Sequence, residues 1–301
     1  MAETDFTAKV KRILKKIVLI LRGAIASFGR EGGARGAAGM AYYTLFSFFP
    51  LLIVLVTIVS YFVDSSEASS RVAQLVTGVI PVSQNFVEIN IERILIVRNS
   101  VGLLSLLFFL WSGSNAFSMM VHHITSAWPE GERRPFFQKR LFGLAMVVFL
   151  IVVLFILMLS STVLNALVKY KDTIPGVELL FNSWLWNFGA KALYWAVPFL
   201  FFYSLYRIIP RGKVPVKAAS FSALGITIVW RVASMGFQWY LASGFSRYEV
   251  IFGSLSAVVA ILLWIYISSL ILFFGAHICA AGSGKIDLGQ LSGFTLPRFR
   301  H

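Results

Sequence analysis

The stretch IFGSLSAVVAILLWIYISSLILFFGAHICAA, residues 251–281, contains no Asp, Glu, Lys or Arg. Apolar runs of about 18 residues or more are typical of transmembrane helices, because about 20 residues cross the hydrocarbon core of a bilayer. This run is longer than a perpendicular span needs, so either its first turns lie at the interface or the helix tilts. The stretch therefore predicts a membrane protein.

The rest of the chain has the same character. It is 58% hydrophobic and 13% charged, whereas soluble domains are about 45–50% apolar and about 25% charged. Five further apolar runs predict spans at about residues 40–63, 101–121, 141–164, 184–206 and 214–240. We therefore predict an all-α polytopic membrane protein with six transmembrane helices and no separate soluble domain.

The predicted membrane domain covers residues 40–281, after an N-terminal region of residues 1–39 and before a short tail of residues 282–301. Residues 6–28 place apolar side chains at helical spacing, with Lys and Arg mostly on the other face. This pattern predicts an interfacial amphipathic helix with anionic lipid headgroups as its partners. The Gly-rich residues 29–39 predict a hinge or close backbone packing. Residues 64–100 are too charged to cross and predict a periplasmic helical segment.

The distribution of basic residues predicts the orientation. Nineteen of the 27 Lys and Arg residues lie in the termini and the even-numbered loops, seven lie in the odd-numbered loops, and Arg231 lies inside a span. Cytoplasmic loops carry the excess of Lys and Arg, so both termini are expected in the cytoplasm. The net charge of +14 is then mainly a topology signal, and no nucleic-acid partner is expected. Cys279 is the single cysteine, which excludes an intrachain disulfide.

Three motifs carry a family resemblance. They are AYYTLFSFFPLL at residues 41–52, WSGSN at residues 111–115, and FGSLSAVVAILLWIYISS at residues 252–269, followed by Gly275-Ala276-His277. With these motifs the chain resembles the YihY/BrkB family of inner-membrane proteins, once labelled ribonuclease BN, over roughly residues 36–281. The resemblance implies a six-helix protein of the bacterial inner membrane, with a transport-like or envelope role more plausible than hydrolysis.

The chain also departs from the family pattern. Phe252 stands where the family usually has Tyr, His277 stands where it usually has Glu, and Pro215-Val-Lys-Ala replaces Pro-Gly-Ala before the fifth span. A role of the family's Glu therefore does not transfer to His277.

Polar residues inside the spans are the candidates for a site, because each must face protein or an aqueous cavity. In the first span Tyr43, Ser47 and Pro50 share one helix face. Pro50 removes the donor for the carbonyl of Phe46 and so predicts a kink. The kink either serves helix packing or lines a substrate path.

In the second span Ser112, Asn115, Met119 and His122 form a stripe at helical spacing. Hydrogen bonding between helices and a pore lining explain this stripe equally well. Metal binding by His122 and His123 is not favoured, because adjacent positions on a helix point about 100° apart.

Two further candidates are ionisable. Arg231 in the fifth span costs roughly 2.5–3.5 kcal/mol to insert unless it finds a partner, so it predicts either a structural pair, with Glu249 as a candidate, or contact with an anion or headgroup. His277 lies near the cytoplasmic end of the last span, where it is either structural or able to carry protons.

These features favour transport-like handling of a lipid or anionic amphiphile, with no catalytic role, metal or cofactor. The alternative is a membrane scaffold that could form a homo-oligomer, in which small residues at four-residue spacing bring helices together, namely Gly32 with Gly36 or Ala276 with Ala280. Ribonuclease activity is a distant third, because the sequence has four histidines and no HExxH-type metal motif.

Overall fold

The structure is a computed structural model that describes residues 2–59, 70, 72–73, 84–128, 138, 141, 143–148, 184–210, 212–252 and 255–284. These residues are helical or in turns and include no strand, which confirms the all-α fold class. The main helices are α1 (Ala2–Arg30), α2 (Gly33–Val59), α3 (Gln84–Thr125), α4 (Trp184–Ile208), α5 (Val216–Phe252) and α6 (Leu255–Gly282).

Four of these helices are long and apolar enough to cross a membrane. Their candidate spans are Gly33–Thr57, Leu103–Thr125, Val216–Ser243 and Val258–Gly282, which correspond to the predicted first, second, fifth and sixth spans. Helix α4 covers the predicted fourth span. The predicted third span lies mostly outside the described residues, and its residues 143–148 are helical.

Helix α3 begins well before the predicted second span. It runs without interruption from Gln84 to Thr125, whereas the sequence predicted a start near residue 101. The charges in residues 88–98 mark where the chain becomes too polar for hydrocarbon, but they do not end a helix. Because residues 84–101 contain neither Pro nor Gly, nothing there breaks the hydrogen-bond ladder.

Helix α6 is the centre of the bundle and contacts each of the other five helices. Its buried face includes Phe273, Ala276 and Cys279, all without solvent exposure. Large apolar side chains point away from the bundle on the outer helices, and examples are Leu103 (74% exposed) and Trp239 (72% exposed). This arrangement is typical of a protein that lipid surrounds.

Helix α1 has three distinct faces. One face packs towards α6 and contains the buried residues Ala24 and Ser27. A second face leaves four large apolar side chains exposed at helical spacing, and a third carries exposed basic residues. The apolar set is Leu14, Val18, Leu21 and Ile25, and the basic set is Lys11, Lys15, Lys16 and Arg22. The amphipathic pattern predicted for residues 6–28 therefore lies on a helix whose third side is held by the bundle.

The glycine-rich segment, residues 29–39, forms a turn and then packs closely against a neighbouring helix. Gly32 adopts a φ of 66° in the turn between α1 and α2, a conformation that favours glycine. Gly36 packs so closely on His123 of α3 that a Cβ there would overlap the imidazole ring. The segment is thus a turn followed by close helix packing.

Candidate functional site

The polar residues of α2 and α3 meet along one antiparallel seam. Gly36 lies against His123, Gly39 lies against Met119, and the hydroxyls of Ser47 and Ser112 are 3.0 Å apart. The stripe predicted on the second span therefore faces α2, and His123 rather than His122 occupies its last contact position. Within the described residues the stripe packs against a helix instead of lining an open channel.

The Ser47–Ser112 pair is buried and satisfied. The single proton of Ser47 is shared between the carbonyl of Tyr43, at 2.7 Å, and the oxygen of Ser112, which accepts it, while Ser112 donates its own proton to the carbonyl of Phe108 at 2.8 Å. The register of the seam places Thr44 opposite Asn115, one turn along from this pair. Hydroxyls that bond their own helix and a neighbour are a common way to join helices in an apolar medium.

Pro50 lies inside α2, which continues without a break from Gly33 to Val59. It lies one turn beyond Ser47. In this part of α2 the side chains of Leu52 and Val56 are fully buried in an apolar cluster that α2 forms with α6. The first-span candidates thus sit at a helix junction.

Among the described residues, Arg231 is held by α4. Its guanidinium donates to the backbone carbonyl of Tyr194, and its Cζ lies 3.4 Å from the centroid of the Tyr194 ring. The indoles of Trp195 and Trp230 are also close, at 5.9 and 5.4 Å. Stacking on aromatic faces stabilises a guanidinium that has left water.

The carbonyl that accepts this hydrogen bond has a particular need for a donor. Pro198 lies four residues after Tyr194 inside α4, and it has no N–H with which to close the helical hydrogen bond to that carbonyl. Arg231 supplies the missing donor from the neighbouring helix. The spacing of Tyr194 and Pro198 was visible in the sequence, but the alignment of α4 with α5 was not.

Glu249 is not the partner of Arg231 within one chain. Both residues belong to the continuous helix α5, and eighteen residues at about 1.5 Å each place their backbones about 27 Å apart. That separation far exceeds the reach of a salt bridge, so this predicted pairing is wrong. The side chain of Glu249 lies outside the described residues.

His277 joins α6 to α1. Its Nδ1 and the hydroxyl of Ser27 are hydrogen-bonded at 2.9 Å, and both residues are buried. Phe28 meets the imidazole edge to face at 5.7 Å. The candidate histidine of the last span therefore anchors the N-terminal helix to the central helix.

Tyr206 is an anchor that sequence reasoning missed. It is fully buried, and its hydroxyl donates to the carbonyl of Leu272 on α6 at 2.9 Å. Gly275 leaves the space that this ring occupies, since a Cβ there would overlap the tyrosine hydroxyl. The Gly275-Ala276-His277 motif thus contains the place where α4 crosses α6.

The small residues proposed for contacts between molecules are used inside the chain. Ala276 and Ala280 of α6 are fully buried, as are Ala219 and Ala223 of α5, and the two helices pack together. Gly36 is buried against α3. Short side chains let the helix backbones approach closely without lipid between them.

A cavity of about 530 Å³ lies between α1 and the C-terminal end of α6. One wall consists of the basic and apolar side chains Lys15, Lys16, Leu19 and Ile20, and the other consists of residues Ala281, Gly282, Ser283 and Gly284. Its volume is within the range of about 300–1,000 Å³ that is typical of small-molecule sites. The cavity combines two cations with the apolar side chains of Leu19 and Ile20.

The predicted site residues therefore do not converge on one cavity in the part of the chain that the structure describes. Ser47 and Ser112 meet at the α2–α3 seam, Arg231 bonds α4, and His277 bonds α1. Among the same residues, no group of three His, Cys, Asp or Glu side chains could hold a metal ion. Among the described residues, the lysine-lined cavity is an arrangement with space for a ligand.

The long apolar helices, their lipid-facing side chains and the basic amphipathic helix define a polytopic helical membrane protein. The chain belongs to the BrkB family, because the family model described as Virulence factor BrkB matches residues 24–291. This match confirms the resemblance stated from the three motifs.

Relatives agree with this assignment. The chain is 27% identical to the putative ribonuclease-like protein YfkH of Bacillus subtilis. The 255 aligned residues cover 82% of this chain and 89% of that protein. The chain is 25% identical over 263 residues to a UPF0761 membrane protein of Aliivibrio fischeri, with 86% and 79% covered. A UPF0761 membrane protein of Xanthomonas campestris is 31% identical over 118 residues, 39% of this chain and 28% of that protein. No solved structure matches the chain.

Proposed function

We propose that this BrkB-family protein handles a membrane lipid or anionic amphiphile in the bacterial inner membrane, without catalysing a covalent reaction. The lysine-lined cavity between α1 and α6 carries the proposal. A cation binds the phosphate or carboxylate of an amphiphile, while the adjacent apolar surface accepts its chain. A water-soluble substrate would have no use for the apolar side chains of Leu19 and Ile20 in the cavity wall.

The proposal includes a topology of six spans with both termini in the cytoplasm. The excess of Lys and Arg in the termini and even loops supports it. The cavity then faces the cytoplasmic leaflet, since it lies at the C-terminal end of α6. Helix α1 lies at the same surface, with its apolar stripe in the acyl region and its basic face among anionic headgroups.

The scaffold and ribonuclease alternatives have less support. The small residues that the scaffold hypothesis relied on are buried within the chain. The ribonuclease hypothesis has the name of the Bacillus subtilis relative in its favour, and a ribonuclease needs groups that act on a phosphodiester. The lysine-lined cavity favours binding of an amphiphile over either of them.

Removal of both cavity lysines is expected to slow lipid movement. Purified protein in liposomes should accelerate the transbilayer exchange of a fluorescent phospholipid over protein-free liposomes, measured by dithionite quenching. Lys15→Ala/Lys16→Ala should lower that rate at least about tenfold, because the loss of even one hydrogen bond to a charged group costs about 1.5–3 kcal/mol and about 1.4 kcal/mol is a factor of ten.

The matched control is Lys11→Ala/Arg22→Ala, which removes the same charge from the same helix at exposed positions that do not line the cavity. Its rate should stay close to that of the unmodified protein. Equal losses in both variants would mean that only the surface charge of α1 matters. Exchange no faster than in protein-free liposomes would contradict the proposed function itself.

A further inference from the structure

The two walls of the α1–α6 cavity differ in electrostatic sign. Lys15 and Lys16 bring two ammonium groups from α1. The opposite wall, Ala281–Gly284, is the C-terminal end of α6 and the turn that follows it. A helix C-terminus carries about half a negative charge, because its peptide dipoles align and its last carbonyls point outward.

The turn after α6 lines the cavity, and within it Gly282 and Gly284 are exposed, whereas Cys279 is buried outside the cavity wall. The amide of Ser283 donates to the carbonyl of Cys279, and the amide of Gly284, with a φ of 73°, donates to that of Ala281. Each carbonyl oxygen has two lone pairs, so such a bond leaves capacity for a second donor. A positively charged donor is the favoured partner at this end of a helix.

A simple anion does not match both walls. Its negative charge would be attracted by the lysines and repelled by the end of α6. A headgroup with a phosphate and an ammonium a few bonds apart matches both, with the phosphate at the lysines and the ammonium at the carbonyls. A primary ammonium offers three N–H donors, whereas a quaternary ammonium offers none.

We infer that the cavity is selective for a zwitterionic glycerophospholipid with a primary-amine headgroup, that is, phosphatidylethanolamine. The inference rests on the proposed function and adds the class of lipid to it. The acyl chains would leave the cavity past the apolar side chains of Ile20 and Leu19, the second of which is 40% exposed.

Native mass spectrometry of the full chain with lipids of identical acyl composition tests this selectivity. Phosphatidylethanolamine should bind about tenfold more tightly than phosphatidylcholine and phosphatidylglycerol, and its mono- and dimethylated forms should bind progressively more weakly. Lys15→Ala/Lys16→Ala should weaken phosphatidylethanolamine binding, whereas Lys11→Ala/Arg22→Ala should leave it unchanged.

The outcomes separate the two claims. Preference for phosphatidylglycerol that depends on Lys15 and Lys16 would overturn the headgroup inference and leave the proposed function standing. Equal affinity for the ethanolamine and choline lipids would also overturn the inference, because it would show that the end of α6 takes no part. Binding of no lipid at the lysines would overturn both.

Discussion

Gly275→Leu is expected to prevent the central helix from packing, and Gly275→Ala to destabilise the folded protein by about 1–3 kcal/mol, the usual cost of overpacking. Even a single Cβ at residue 275 would overlap the hydroxyl of Tyr206 and the side chain of Ile226. The tyrosine cannot easily move aside, because its ring is fully buried and its hydroxyl is bonded to Leu272.

Unfolding of the purified protein in mixed micelles, followed by circular dichroism against increasing SDS, measures this loss. Gly225→Ala is the matched control, since a Cβ at Gly225 of α5 would meet no atom within 4 Å. It should retain full stability, as alanine favours a helix more than glycine does. The account is contradicted if Gly275→Ala and Gly225→Ala unfold at the same SDS concentration.

Arg231→Leu is expected to lower stability by about 1–3 kcal/mol, because an acceptor that faces lipid, where no water replaces the bond, would lose its donor. The acceptor is the Tyr194 carbonyl, which Pro198 has already deprived of its helical hydrogen bond. Leucine removes the unfavourable free energy of placing a charge in hydrocarbon, but the substitution also removes the stacking of the guanidinium on the Tyr194 ring.

A double-mutant cycle isolates this contact from the cost of the charge. In a Pro198→Ala background the carbonyl of Tyr194 regains its own helical donor, so Arg231→Leu should then cost about 1 kcal/mol less than in the unmodified chain. Arg231→Lys keeps the charge and loses the planar stacking, so the stability of this variant should lie between the stabilities of the unmodified chain and of Arg231→Leu. Strict additivity of Pro198→Ala and Arg231→Leu would show that the arginine does not serve this carbonyl.

The sequence was sufficient to predict the fold class and the position of the main spans. A run such as residues 258–282 can be recognised in the sequence, because a helix that crosses hydrocarbon must be long and apolar. This requirement concerns only the residues of that segment and not their neighbours in space. The start of α3 at Gln84 was not predicted, because polarity marks the edge of the membrane and only Pro, Gly or a cap marks the end of a helix.

The candidate site was less predictable, because it depends on how helices align. Lys15 and Lys16 were recognised as part of a basic face, but their cavity exists only because Ser27 and Phe28 hold α1 against His277. Likewise, Arg231 was recognised as a costly residue, whereas its partner depends on α4 lying beside α5. Periodicity along one helix contains no information about the neighbour that it meets.

The most direct test of the central claim is a structure of the protein determined in nanodiscs with its native lipids retained. The account predicts a phospholipid headgroup between Lys15, Lys16 and the turn at Ala281–Gly284, with its acyl chains leaving past Leu19. An α1 that lies apart from α6, or a cavity closed by protein with every bound lipid elsewhere, would contradict it.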